Sequence, residues 1–120
     1  MDDALIADDL LLLLLDDESG KLSTGSAASV DTAIGGALLV ELSLRGAIEL
    51  TDGRAFRRRR VVASSDAPPL PPVLADAAAD VSEKERTAAA LVPRLGKDRK
   101  EALLDRLVEQ QIIHRERDRV

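Results

Sequence analysis

Four bases near the end of the chain have the clearest potential for chemistry: Arg94, Lys97, Arg99 and Lys100. They precede or begin a predicted helix over residues 99–110, with Asp98 as a possible N-cap. The free N–H groups and positive dipole end of a helix favour phosphate. Lys97 and Lys100 are three residues apart, so both could contact one phosphate. An Asp98 cap would oppose an anion there, and ordinary surface charge is the alternative interpretation.

A second run of bases follows a predicted hairpin turn: Arg57, Arg58, Arg59 and Arg60. We predict a strand over 47–50, a turn over 51–53 and a return strand over 54–63. Alternation along a strand sends two arginines to each face, so neither face suits an apolar core. The run is then an exposed arm, which serves either as a sheet edge protected from aggregation or as a contact for an anionic surface.

Patterns for catalysis and metal binding are weak. The chain has no Cys, and His114 is its one His, whereas metal sites need several such ligands. Adjacent aspartates at 2–3, 8–9 and 16–17 suggest a carboxylate pair, but neighbours on a helix do not share a face. We expect solvated, helix-flanking charge there. No phosphate-loop, dinucleotide, zinc-protease or serine-hydrolase motif occurs. The prediction is a non-enzyme without cofactor or metal.

The chain of 120 residues, 45% of them hydrophobic, fits one domain over 1–120. The predicted fold is mainly α, with β-hairpins and winged-helix-like helix–strand units at LVELSLRGAIEL and LLDRLVEQQIIHRE. Predicted helices cover 4–16, 73–81, 83–92 (stopped near Pro93) and 99–110. The second predicted helix begins at Asp31 or Thr32 and ends at Arg45, with Asp31 as N-cap and Gly46 as C′ residue. A stiff, proline-rich connector covers 64–72, and residues 112–120 alternate like a strand. Gly35 and Gly36 would let a backbone or a ligand approach the second helix closely.

Charge is divided unevenly along the chain. Residues 1–53 hold 11 acids and 2 bases, and residues 54–120 hold 11 acids and 15 bases. The second part can therefore meet a polyanion, although the net charge is −5. The leucine run over 10–15 is too short for a membrane span and has acidic flanks, so we predict a buried helix end, not a signal or an anchor.

An ordered set of segments resembles the Golgi phosphoprotein 3 family, which includes proteins of the vacuolar sorting 74 type. The segments are LIADDLLLLLLDDESGKL, GGALLVELSLRGAIEL, SSDAPPLPPVLADAAADV, KDRKEALLDRLVEQQII and HRERDRV. Each motif is weak alone, but their order is fairly specific and spans nearly the whole chain. Family members are longer, so the resemblance implies that the chain is shortened at its C-terminus. The Arg- and Ala-rich composition suggests a prokaryotic member.

The resemblance implies a mainly helical, non-enzymatic, peripheral membrane protein. It implies binding of phosphatidylinositol 4-phosphate, an anionic phospholipid, on the cytosolic face of the Golgi in a eukaryote. It further implies an adaptor that holds membrane enzymes by their cytosolic tails, and an oligomer is possible.

The resemblance also assigns residues. The family's headgroup pocket has two Arg three apart, which fall on Lys97 and Lys100. Its Arg in the second helix falls on Gly35, and its Trp falls near Ser26, so both expected residues are missing. Supporting bases would be Arg94, Arg99 and the 57–60 run.

Two other functions fit the same residues. One is a protein-interaction scaffold without a lipid ligand. The other is a winged-helix-like nucleic-acid module, whose wing would be the basic hairpin. The overall acidity, the lack of a clear recognition helix and the near absence of aromatic residues weigh against nucleic acid.

Overall fold

The computed structural model describes residues 5–14, 27–51 and 60–109. Over these residues the chain is mainly helical with a small antiparallel sheet, as the sequence predicted. The elements are α1 (Ile6–Leu14), α2 (Ala27–Leu44), β1 (Ile48–Leu50), β2 (Arg60–Ala63), α3 (Pro72–Glu83), β3 (Arg86–Thr87) and α4 (Ala88–Leu107).

The sheet has the strand order β1-β2-β3, and both pairs are antiparallel. Ile48 lies opposite Ala63 and Leu50 opposite Val61, which confirms that the two predicted strand segments pair antiparallel. The predicted register was wrong, since a turn over 51–53 would have placed Leu50 opposite Arg54. Residues 52–59 lie outside the described residues. The two-residue β3 was not predicted, because so short a strand carries no periodicity of its own. The second predicted helix–strand unit continues past residue 109, outside the described residues.

The core lies around the pairing of α2 with α4, the most extensive contact between elements in the described part of the chain. Its largest fully buried side chains are leucines with Ile34, Val61 and Val81. Aliphatic packing therefore dominates this core, as the near absence of aromatic residues requires.

Two glycines lie where α2 crosses α4. A Cβ on Gly35 would overlap the carbonyl oxygen of Val92, and a Cβ on Gly96 would overlap that of Asp31. The close approach predicted at Gly35 is therefore confirmed, and its partner is the backbone of α4 rather than a ligand. Gly36 meets nothing within 4 Å, so only one glycine of this pair is needed for packing.

Helix α2 ends at a glycine, as predicted, but it begins earlier than predicted. Gly46 has a φ of 75°. The N–H of Gly46 donates to the carbonyl of Ser43, and that of Ala47 donates to Leu42, in the Schellman arrangement. The prediction of Asp31 as N-cap was wrong. The helix starts at Ala27, so Asp31 lies inside it and is nearly buried.

Helix α4 is continuous, so the prediction of two helices separated near Pro93 was wrong, as was that of an Asp98 cap. Thr87 caps the helix, and its hydroxyl accepts from the Ala90 N–H at 3.2 Å. Proline in a helix interior costs about 3 kcal/mol. Burial of a leucine returns about 1.5–3 kcal/mol, and α4 buries Leu91, Leu95, Leu103 and Leu107. The packing of the whole helix thus outweighs one proline.

The leucine-rich α1 is buried on one side only. Ala7 and Leu11 are buried, whereas Leu13 is 80% exposed, so the predicted burial of the leucine run holds for only part of its described residues. No helix among the described residues is long and apolar enough to span a membrane.

Candidate functional site

The four bases around residue 97 lie in the middle of α4, not at a helix N-terminus. The N–H groups there are used within the helix. The prediction that the helix dipole favours an anion at these bases is therefore wrong, because the dipole effect falls off beyond the first turn of a helix. What remains is the charge of the side chains themselves, and their surroundings differ sharply.

Arg99 is buried between α4 and α3, with a side chain that is 5% exposed. One guanidinium nitrogen lies 3.0 Å from Asp80 Oδ2, and the other lies 3.1 Å from both the carboxylate and the carbonyl of Asp76. Its Nε is buried and makes no hydrogen bond within the described structure. Arg99 therefore joins two helices.

Arg94 also binds the Asp80 carboxylate, and does so from the solvent-exposed side. Its Nε lies 3.0 Å from Asp80 Oδ1, and a second nitrogen lies 3.4 Å from Glu83. The hydrogen bond to Asp80 raises the pKa of Arg94. Asp80 is thus held by two arginines, one exposed and one buried, and neither was matched to it by sequence reasoning.

Asp80 supplies a prediction about pH. Burial alone would raise the pKa of Asp80, but hydrogen bonds and charge attraction from Arg94 and Arg99 outweigh it, and the pKa is lowered from 3.8. A carboxylate with a depressed folded-state pKa stabilises the fold above its unfolded pKa, and the contribution is lost as pH falls through the folded value. We expect this contribution to be constant from pH 7 to about 5 and to be lost below about pH 4.

The measurement is the free energy of unfolding across that range for the native chain and for Asp80→Asn. The variant should be less stable at neutral pH, and the difference between the two should shrink below pH 4. A difference that stays constant down to pH 2 would contradict the assignment.

Lys97 and Lys100 lie three residues apart on α4, at neighbouring positions on a helix surface. Lys97 is exposed and forms no ion pair with any described residue. Lys100 is partly buried, and its Nζ lies 3.0 Å from Asp31 Oδ1 on α2, at a geometry that falls short of a hydrogen bond. One lysine is therefore presented to solvent, and its neighbour is already neutralised.

The other predicted site residues are described only in part. Arg60 is exposed at the start of β2, with its Nε 3.8 Å from a Glu85 carboxylate oxygen. Gly35 is buried at the helix crossing. The remaining predicted positions lie outside the described residues, namely Ser26, Arg57, Arg58, Arg59 and His114.

Asp8 departs from the prediction of solvated flanking charge. It is nearly buried, accepts from the Leu5 N–H and holds Arg106 through two hydrogen bonds of 2.8 and 3.3 Å. Its neighbour Asp9 is exposed. The two partners are 98 residues apart, and no local pattern marks that pairing.

Two concave surfaces occur elsewhere. A cleft of about 400 Å³ between α3 and α4 is lined by Pro72, Val73, Asp76, Ala102, Arg106 and Glu109. A groove of about 140 Å³ lies between α2 and β1 and is lined by Leu39, Val40, Ser43, Leu44, Ile48 and Leu50. Across residues 5–14, 27–51 and 60–109, no group of three or more His, Cys, Asp or Glu could hold a metal ion.

These features define a helical domain with a small sheet and a basic helix packed across a glycine-rich crossing. The model of the Golgi phosphoprotein 3 (GPP34) family matches residues 6–120. The chain belongs to this family, as the ordered motifs indicated. Comparisons with curated proteins and with solved structures gave no significant match.

Proposed function

We propose that the protein is a non-enzymatic peripheral membrane protein that binds phosphatidylinositol 4-phosphate or another anionic lipid. Family membership supports this class of function, since the family suggests a Golgi-associated adaptor that binds this lipid. The protein would work at the cytosolic face of a membrane, which in a eukaryote is the Golgi. Its partners would include the cytosolic tails of membrane enzymes.

The observation that carries the proposal is the exposed Lys97, three residues from Lys100 on one continuous helix. A phosphomonoester carries about −1.5 to −2 charges near neutral pH. Lys97 would make the first contact, and Lys100 would supply the second charge. A lysine binds phosphate as a point charge without the paired donors of arginine, so attraction would outweigh geometric fit.

The exposed arginines would add attraction that depends little on the headgroup. Arg60 and Arg94 are both exposed, but each already faces an acid, Glu85 and Asp80 respectively. Their net contribution near a membrane is therefore smaller than the number of arginines suggests. This long-range part of the attraction should weaken as salt rises, because the screening length at physiological salt is about 8 Å.

Lys97→Glu should reduce binding to vesicles containing phosphatidylinositol 4-phosphate by about 30-fold. The reversal removes one favourable charge and adds one unfavourable charge, at about 1 kcal/mol each near anionic lipid. Partition coefficients from vesicle flotation measure the effect. Because Lys97 is exposed and unpaired among the described residues, the variant should fold like the native chain.

Lys84→Glu is the matched control. Lys84 is another exposed lysine without a described ion pair, at the C-terminal end of α3. The same change of charge there should alter binding by less than about threefold. Equal losses in the two variants would indicate a response to total charge only. Native-level binding by Lys97→Glu would eliminate the α4 site.

A further inference from the structure

Asp31 has an unusual position for an acidic residue. It lies inside α2 and is 9% exposed, and its Oδ1 has no hydrogen-bond partner in the described structure. The charged group closest to that atom in a described contact is Lys100 Nζ, at 3.0 Å. A buried carboxylate is costly unless it is paired, so Asp31 depends on Lys100 for neutralisation.

The glycine crossing brings these two residues together. Asp31 is one turn before Gly35 on α2, and Lys100 is one turn after Gly96 on α4. A Cβ on Gly96 would overlap the Asp31 carbonyl oxygen, so the two backbones are in contact at that level. The close packing of α2 against α4 at these glycines therefore places the Lys100 ammonium beside the Asp31 carboxylate.

We propose that Asp31 limits the anion affinity of the Lys97–Lys100 site by neutralising Lys100. This inference rests on the proposed function, because it assigns a controlling residue to the same site. An anion that reaches Lys97 finds the second lysine already paired. To gain the charge of Lys100, the anion must draw its ammonium away from Asp31 or share it with that carboxylate. In either case Lys100 contributes less to anion binding than an unpaired lysine would.

The geometry makes this competition direct. Lys100 is partly exposed, whereas Asp31 is the more buried partner. The ammonium is therefore the mobile member of the pair, since a lysine side chain is flexible and the carboxylate is held by its helix. Asp31 is a positioning residue in this account, because it acts through Lys100.

Asp31→Asn tests the proposal, because it removes the charge and keeps the shape. The probe is a vesicle of phosphatidylcholine in which about one lipid in twenty is phosphatidylinositol 4-phosphate. We expect affinity to rise about fivefold, because Lys100 is then no longer neutralised and can attract the anion as Lys97 does. Asp66→Asn, an exposed neutralisation in the turn after β2, controls for the change in net charge and should leave affinity nearly unchanged.

The background variant Lys100→Gln separates this mechanism from a general change in the fold. If Asp31 acts through Lys100, then Asp31→Asn should have no effect on affinity once Lys100 is replaced. Thermal unfolding of each variant verifies that the compared chains are folded. An equal rise in both backgrounds would overturn the proposal.

The outcomes distinguish this inference from the function on which it rests. If the native chain binds, Lys97→Glu binds much more weakly and Asp31→Asn binds like the native chain, the lipid site stands and the inference is wrong. If the native chain fails to bind and Asp31→Asn binds, Asp31 suppresses the site and the native lipid function is wrong. If neither binds, both proposals fail.

Discussion

Replacing Gly35 with alanine should lower the free energy of unfolding by about 3 kcal/mol or unfold the chain. The added Cβ would overlap the Val92 carbonyl oxygen and lie 2.7 Å from the carbonyl carbon. Overpacking costs about 1–3 kcal/mol, and the upper end applies where backbone is the obstacle. Helix propensity opposes the loss, since alanine is favoured over glycine by about 1 kcal/mol, but the overlap decides the sign.

Gly36→Ala is the matched control for this prediction. Gly36 is the next residue of α2, and a Cβ there would meet nothing within 4 Å. Its stability should rise by up to about 1 kcal/mol, because only helix propensity changes. Urea denaturation followed by circular dichroism measures both variants. If Gly35→Ala were as stable as Gly36→Ala, the close crossing of α2 and α4 would be contradicted.

Arg99→Ala should lower the free energy of unfolding by about 3–5 kcal/mol. Arg99 is 4% exposed and bonds both Asp80 and Asp76. Its removal leaves the buried side of Asp80 without a partner and leaves a cavity between α3 and α4. A domain of this size has about 5–15 kcal/mol of stability in total, so a loss of this size removes a large fraction of it.

Arg94→Ala is the matched control, because it removes an exposed arginine that binds Asp80 instead of the buried one. Arg94 contacts the same carboxylate of Asp80, but its side chain is 43% exposed. Exposed ion pairs contribute about 0–1 kcal/mol, so we expect a loss below about 1 kcal/mol. Chemical denaturation at pH 7 compares the two variants. Similar small losses for both would mean that Arg99 does not join α3 to α4 as described.

Local signals predicted much of the fold. The antiparallel pairing of β1 with β2 was predicted, although its register was not. The end of α2 follows from the left-handed conformation that Gly46 adopts. Helix α3 was predicted within two residues at each end, because a proline-rich segment precedes it. For the end of α2 and the start of α3 the deciding interaction lies within a few residues of the chain, where sequence reasoning is strongest.

Tertiary packing decided the points that the sequence reasoning missed. Pro93 marks a helix end locally, yet α4 continues because its leucine face is buried against the rest of the core. Asp8 is paired with Arg106 across 98 residues, and no spacing rule reaches that far. The two-residue β3 exists only because β2 is beside it.

The candidate site also combines features that the local sequence predicts with features that only tertiary packing determines. The spacing of Lys97 and Lys100 was visible in the sequence and places them at neighbouring helix positions. Their different environments were not visible, because Asp31 reaches Lys100 from another helix. Arg94 and Arg99 looked equivalent in the sequence, and the position of α3 makes one an exposed pair and the other a buried link.

The most direct test of the central claim is flotation of the native chain with three kinds of vesicle at physiological salt. The vesicles carry phosphatidylinositol 4-phosphate, an equal charge of phosphatidylserine, or neutral lipid only. The account predicts flotation with the phosphoinositide vesicles and none with the neutral ones. Stronger flotation with the phosphoinositide than with phosphatidylserine would identify the phosphomonoester as the recognised group. A chain that floats with none of the three would contradict the account.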